Sequence, residues 1–66
     1  GGSVLNITEQ IKSYEATRQA KSARMAEIME ASAVAGTTLD EAQEEEYDGL
    51  EGEVAAVDKH LVRMRK

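Results

Sequence analysis

Apolar side chains recur along the chain at three- and four-residue spacing, which predicts two amphipathic helices separated by one turn. The turn signal is Gly36-Thr37-Thr38, near the middle of the 66 residues. The second run is unbroken, as in the narrow seam of a coiled coil. The first run is interrupted where Arg18 and Lys21 occupy seam positions. The apolar positions are Val4, Ile7, Ile11, Tyr14, Met25, Ile28 and Ala35, then Tyr47, Leu50, Val54, Val57, Leu61 and Met64.

The first run has residues suited to helix ends on both sides. Thr8 is predicted to cap the first helix, with Asn6 as the alternative, because either side-chain oxygen can accept from an unpaired N–H of the first turn. Gly36 suits the left-handed backbone conformation just past a helix end. The first helix is therefore expected to span about residues 8–35.

The second run begins with a capping signal of its own. Asp40 followed by Gln43 predicts a capping box, and Thr38 with Glu41 is a second possible register. The second helix is expected to span about residues 40–65. Residues 1–3 are interpreted as a remnant of cloning, and residues 4–66 as a single domain with a turn at 36–39.

A turn of about four residues between two long helices predicts an antiparallel, coiled-coil-like hairpin, and hence an all-α fold. Facing residues should then have numbers that sum to about 75. The predicted helix–helix interface consists of Ile7, Ile11, Tyr14, Arg18, Lys21, Met25, Ile28, Tyr47, Leu50, Val54, Val57, Leu61 and Met64.

Arg18 and Lys21 interrupt the apolar seam opposite Val57 and Val54. We expect their aliphatic stems to cover the valines while their charges reach acidic residues of the second helix, at positions 51, 53 or 58. The alternative is that both are solvated residues flanking the interface.

The net charge of -5 is unevenly distributed along the chain. Residues 1–36 sum to zero, whereas residues 37–66 carry the whole excess, with eight acids and no base from Asp40 to Glu53. Such a surface repels phosphate, which predicts no nucleic-acid partner. No apolar run is long enough to span a bilayer, so no membrane partner is expected. The absence of cysteine favours an intracellular protein.

The chain offers few groups for chemistry, so neither an enzyme nor a cofactor or metal site is predicted. His60 is the only histidine and is expected to be solvated. Residues 40–51 place acids at three positions of a calcium loop, but Ala42 and Glu45 occupy positions that require other residues. Gly49 and Gly52 fall on the face away from the first helix. They indicate close approach of another chain, a helix that is easily loosened, or drift on a solvated face.

One ordered set of residues resembles a known family. The set consists of Arg18, Met25 and Ile28, then Ala35-Gly36-Thr37-Thr38-Leu39-Asp40, then Glu45-Glu46-Tyr47-Asp48-Gly49-Leu50, and finally Val57, His60, Leu61 and Arg63. It is similar to the N-terminal delta domain of tailed-bacteriophage major capsid proteins of the Hong Kong type, from about Val4 to Arg65. Lys21, Gly49 and Gly52 depart from the pattern of that family.

The resemblance implies a scaffolding domain that directs procapsid assembly through helix–helix association and is removed by proteolysis on maturation. Its implied partners are copies of itself, neighbouring capsid subunits and the maturation protease. Its implied location is the host cytoplasm, inside the procapsid. A coiled-coil interaction arm of an unrelated intracellular protein is the alternative. A calcium-responsive switch is a third hypothesis, based on the acidic cluster alone.

Overall fold

The computed structural model describes residues 6–66, which form two α-helices joined by a short turn. Helix α1 spans Ile7–Ala35 and helix α2 spans Glu41–Met64. The two helices pack against each other, which confirms the predicted all-α hairpin. Their bounds differ from the predicted ones by no more than one residue. The predictions for Val4 and for residues 1–3 lie outside the described part of the chain.

The cap of helix α1 lies two residues earlier than the favoured candidate. Asn6 has an extended backbone, and its Oδ1 accepts a hydrogen bond from the backbone N–H of Glu9 at 2.9 Å. Thr8 lies inside the first turn, so its prediction as the cap is wrong and the alternative, Asn6, is correct. The earlier start gives Ile7 a helical position.

Gly36 ends α1 as predicted, with φ 69° and ψ 25°. Its N–H donates to the carbonyl oxygen of Ala33, and the N–H of Thr37 donates to the carbonyl oxygen of Ser32, both at 3.2 Å. These two bonds form a Schellman motif, which satisfies carbonyl groups that the last turn leaves without helical partners. The chain is thereby turned back towards α1 within a few residues.

The start of α2 confirms the predicted capping box. Asp40 Oδ1 accepts from the N–H of Gln43 at 2.8 Å, and the side-chain oxygen of Gln43 accepts from the N–H of Asp40 at 3.0 Å. The register that would have used Thr38 and Glu41 is therefore not adopted. Glu41 and Glu44 lie in the first turn, where the helix dipole favours negative charge.

The core between the helices is thin. Ile28 and Leu61 are the buried apolar residues of the described chain, each 3% exposed. Burial of one such side chain contributes about 1.5–3 kcal/mol, whereas ordering one residue's backbone costs about 1–2 kcal/mol. Two buried aliphatic residues therefore make a marginal core for two long helices.

The buried row of α1 continues through Ser32 rather than through Ala35, which was predicted to continue it but is exposed. Ser32 is 8% exposed, and its hydroxyl donates to the carbonyl oxygen of Thr37. Burial of a hydroxyl is tolerated when it forms a hydrogen bond. A serine in this row thus joins the end of α1 to the turn that follows it.

Candidate helix-helix interface

The two cations that interrupt the α1 seam both form ion pairs with α2. Arg18 pairs with Asp58, and Lys21 pairs with Glu53. This confirms the expectation that their charges reach acids of the second helix, although Arg18 remains exposed whereas Lys21 is half-buried. The residue numbers sum to 76 and 74, against the predicted value of about 75. The hairpin therefore has the expected antiparallel register.

A third ion pair involves Arg24, which the sequence pattern did not assign to the interface. Its Nε and Nη2 donate to the two carboxylate oxygens of Glu46 at 2.7 and 3.0 Å, a bidentate geometry. Its Nη1 also donates to Glu27 at 3.2 Å. Hydrogen bonding to Arg24 lowers the pKa of the Glu46 carboxyl, and hydrogen bonding to Glu46 raises the pKa of Arg24.

The open end of the hairpin, where α1 begins and α2 ends, has two cross-helix contacts. Arg65 Nη2 donates to Glu15 at 2.6 Å. The ring of Tyr14 meets the ring of His60 edge-on, with centroids 4.9 Å apart and an interplanar angle of 69°. His60 is exposed, as expected, but its contact with Tyr14 was not predicted. Aromatic pairs prefer such edge-to-face arrangements.

The predicted interface residues differ in how far they are covered within a single hairpin. Ile28 and Leu61 are buried, whereas Ile7, Tyr14 and Arg18 are exposed. The remaining eight are half-buried: Ile11, Lys21, Met25, Tyr47, Leu50, Val54, Val57 and Met64.

Charged side chains along both edges of the interface favour one alignment of the helices over others. All the cross-helix ion pairs lie at the surface, where solvent and salt screen them and their contribution to stability is small. A shift of either helix by one turn would separate the partners. The pairs therefore specify register, while the apolar seam supplies most of the attraction.

The acidic segment considered as a calcium loop forms the cap and the first turns of α2. Within residues 6–66, no group of three or more acidic or histidine side chains is arranged to hold a metal ion. Neither helix in this range is long and apolar enough to cross a membrane.

Three depressions mark the surface of the hairpin. The first, which we call the neutral groove, has a volume of about 680 Å³ and lies between the helices at the open end. Its lining contains two acids and two bases, which are already paired with each other. The lining residues are Glu15, Arg18, Gln19, Ser22, Asp58, Leu61, Val62 and Arg65.

The other two depressions carry opposite charge. The basic patch near the end of α2 consists of Lys59, Val62, Arg63 and Lys66, with Asp58 at its edge. The acidic patch near the end of α1 consists of Glu27, Glu30, Ala31, Val34 and Ala35. Each places an exposed valine among side chains of predominantly one charge.

Comparisons with known proteins add no relative from which a function could be transferred. No protein-family model, no curated protein and no solved structure matches the chain. What the chain does must therefore be inferred from its own sequence and surface.

Proposed function

We propose that this chain is a scaffolding domain of a bacteriophage major capsid protein, which directs procapsid assembly by associating with copies of itself. The observation that carries the proposal is the thin core: Ile28 and Leu61 are the buried apolar side chains of the described residues. The family resemblance of the sequence supplies the capsid context. A hairpin that needs its own copies for stability suits an assembly module.

The thin core gives self-association a physical reason. Ile7, Tyr14, Met29, Val34 and Val62 remain exposed to between 37% and 83% in the single hairpin. Association that removes such side chains from water is favourable in proportion to the apolar area buried. Because the associated form is folded, association also shifts the folding equilibrium by mass action. Weak and reversible contacts of this kind allow subunits to correct errors during assembly.

Two glycines in α2 suit a domain that is removed after assembly. A Cβ atom built at Gly49 or Gly52 meets nothing within 4 Å, so packing within the hairpin does not require either glycine. Each glycine lowers the stability of a helix interior by roughly 0.5–1 kcal/mol relative to alanine. Local opening exposes backbone to proteases. In the proposed function, α2 is therefore the segment that opens most readily to the maturation protease.

Sedimentation equilibrium and circular dichroism over the same concentration series test the self-association part of the proposal. We expect mass and helicity to rise together, because association stabilises the helices. A fully helical monomer at every concentration would contradict this expectation and would favour the coiled-coil arm, whose stability does not depend on its own copies.

The capsid part of the proposal is tested separately, by the gene that encodes the chain. We expect the codons that follow Lys66 in the natural gene to encode a capsid fold. A different kind of domain at that position would contradict the capsid assignment, even if the hairpin self-associates.

A further inference from the structure

Two valines stand out among the exposed apolar residues, because they lie in patches of opposite charge. Val34 is 83% exposed and Val62 is 57% exposed. Val34 lies in the acidic patch with Glu27 and Glu30, and Val62 lies in the basic patch with Lys59 and Arg63. Each patch thus combines an apolar centre with a charged rim, which is the common anatomy of a protein interface.

We infer that copies of this chain associate head to tail, with the basic patch on α2 of one copy seated on the acidic patch on α1 of the next. The inference rests on the self-association in the proposed function and specifies the surfaces that carry it. Its occupant is a second copy because the chain itself presents both halves of the contact, matched in charge and in apolar centre.

The charges of the two patches are available for an intermolecular contact. Lys59 and Arg63 form no ion pair within the described hairpin, and neither does Glu30. Glu27 shares the guanidinium of Arg24 with Glu46. The rest of α2 is strongly acidic, and the chain carries a net charge of -5, so most other approaches of two copies bring like charges together. The basic patch is where a second copy's acids are attracted.

The neutral groove is a weaker candidate for the same contact. Its charged side chains are already paired across the hairpin, Arg18 with Asp58 and Glu15 with Arg65. A second copy seated there would have to compete with those pairs. The acidic and basic patches offer Glu30, Lys59 and Arg63, which form no ion pair within the described hairpin, so the observations favour these patches.

The positions of the patches make the contact heterologous, meaning that each copy contributes a different surface. The acidic patch is lined by α1 alone, whereas the basic patch is lined by α2 and Lys66 and shares Asp58 and Val62 with the neutral groove. The patches lie near the C-terminal ends of antiparallel helices, hence towards opposite ends of a molecule about 50 Å long. A contact of this type leaves one free patch on each side of a pair, so association continues into a ring or an open chain.

Complementation between two single variants tests the inference. Val34→Lys places a positive charge in the acidic patch, where the basic patch of the next copy repels it, and leaves the basic patch intact; Val62→Asp does the reverse. We expect each variant alone to remain monomeric at concentrations at which the wild-type chain associates. Their equimolar mixture should form a 1:1 heterodimer and nothing larger, because one functional contact remains. The matched control is Ala20→Lys or Ala20→Asp, since Ala20 is exposed and lines neither patch.

Sedimentation velocity measures the association, and circular dichroism verifies that each variant keeps the helicity of the control. Association of either variant to the wild-type extent, or a mixture that stays monomeric, would overturn the inference while leaving the proposed self-association intact. A wild-type chain that never associates would overturn both.

Charge-reversal variants provide a second test that does not alter the apolar centres. Glu30→Lys and Lys59→Glu lie at exposed positions and should each weaken association. Their mixture should regain it, because the unchanged basic patch of the Glu30→Lys variant still matches the unchanged acidic patch of the Lys59→Glu variant. If the mixture associates no better than either variant alone, the head-to-tail pairing is wrong.

Discussion

At the turn end of the hairpin, hydrogen bonds between residues close in sequence hold the chain, whereas at the open end the contacts join residues far apart in sequence. The turn end has the Schellman motif at Gly36, the bond from Ser32 to Thr37 and the capping box of Asp40. The open end depends on the pair of Arg65 with Glu15 and on the ring contact of Tyr14.

The difference shows how a hairpin of marginal stability can have one well-defined end. Local hydrogen bonds form with little loss of chain entropy, so the turn end can persist when the helices separate. The open end must bring together residues 40–50 positions apart, and its contacts are mostly exposed. In the proposed function, association of copies would therefore add most stability at the open end, where fewer local hydrogen bonds hold the single hairpin.

The largest loss of stability is expected from substitution of the two buried residues, Ile28 towards the turn end and Leu61 near the open end. Leu61→Ala and Ile28→Ala should each lower the free energy of unfolding by about 2–5 kcal/mol. Because the local hydrogen bonds of the turn end remain, Ile28→Ala should leave more residual helix than Leu61→Ala. Urea denaturation followed by circular dichroism measures both quantities. Leu61→Met, which conserves volume, is the control. Equal residual helicity in the two alanine variants would contradict the proposed difference between the ends.

Gly36→Ala should weaken the turn end by about 1–2 kcal/mol, because a residue with a Cβ atom is strained at φ 69°. A Cβ atom at this position meets nothing within 4 Å, so the cost arises from the backbone rather than from a clash. Gly36→Asn should cost less, since asparagine tolerates the left-handed region better. Thermal unfolding of the three chains measures the order. If the Gly36→Ala variant is as stable as the unsubstituted chain, the left-handed conformation of Gly36 does not fix the turn.

Gly49→Ala should have a smaller effect in the opposite direction: it should stabilise the hairpin by about 0.5–1 kcal/mol. The reason is that alanine orders the helix at lower entropic cost and fills open space. Cleavage within α2 during limited proteolysis should slow in parallel. Gly52→Ala repeats the test one turn along. A loss of association without a loss of monomer stability would instead show that another chain approaches this face closely.

The smallest change in stability is expected when the solution is acidified until Glu46 loses its charge and its ion pair with Arg24. The bond from Arg24 lowers the pKa of Glu46 in the folded state. The stability it contributes is therefore present above the ordinary pKa of glutamate and is lost as pH falls through the lowered folded-state pKa. Glu46→Gln should flatten this part of the pH profile of stability. Glu45→Gln makes an equal charge change at an exposed neighbour outside the described ion pairs and is the matched control.

Features that depend on neighbouring residues were predictable from the sequence. The capping box needs only Asp40 and Gln43 at the right spacing, and the left-handed end of α1 needs only a glycine at position 36. The cap of α1 was less certain because Asn6 and Thr8 both have suitable side-chain oxygens. Which of them caps the helix depends on where the backbone first becomes helical, and the residue type alone does not specify this.

Contacts across the hairpin were predictable only in part. The register and the pairs of Arg18 and Lys21 follow from the position of the turn and from the acids opposite. The burial of Ser32 was missed because a hydroxyl breaks an apolar pattern, and its partner is a backbone carbonyl in the turn. The spacing of four residues from Ile28 to Ser32 was the available signal.

The sequence by itself determined the two helices, the place of the turn and the antiparallel arrangement, because these depend on periodicity and on bonds between near neighbours. The tertiary structure decided which side chains are buried and which charged side chains form ion pairs. Arg24 is held by Glu46, while Lys59, Arg63 and Glu30 form no ion pair within the described hairpin. Burial and pairing depend on the rotation and separation of two helices in space, and a linear pattern specifies these only approximately.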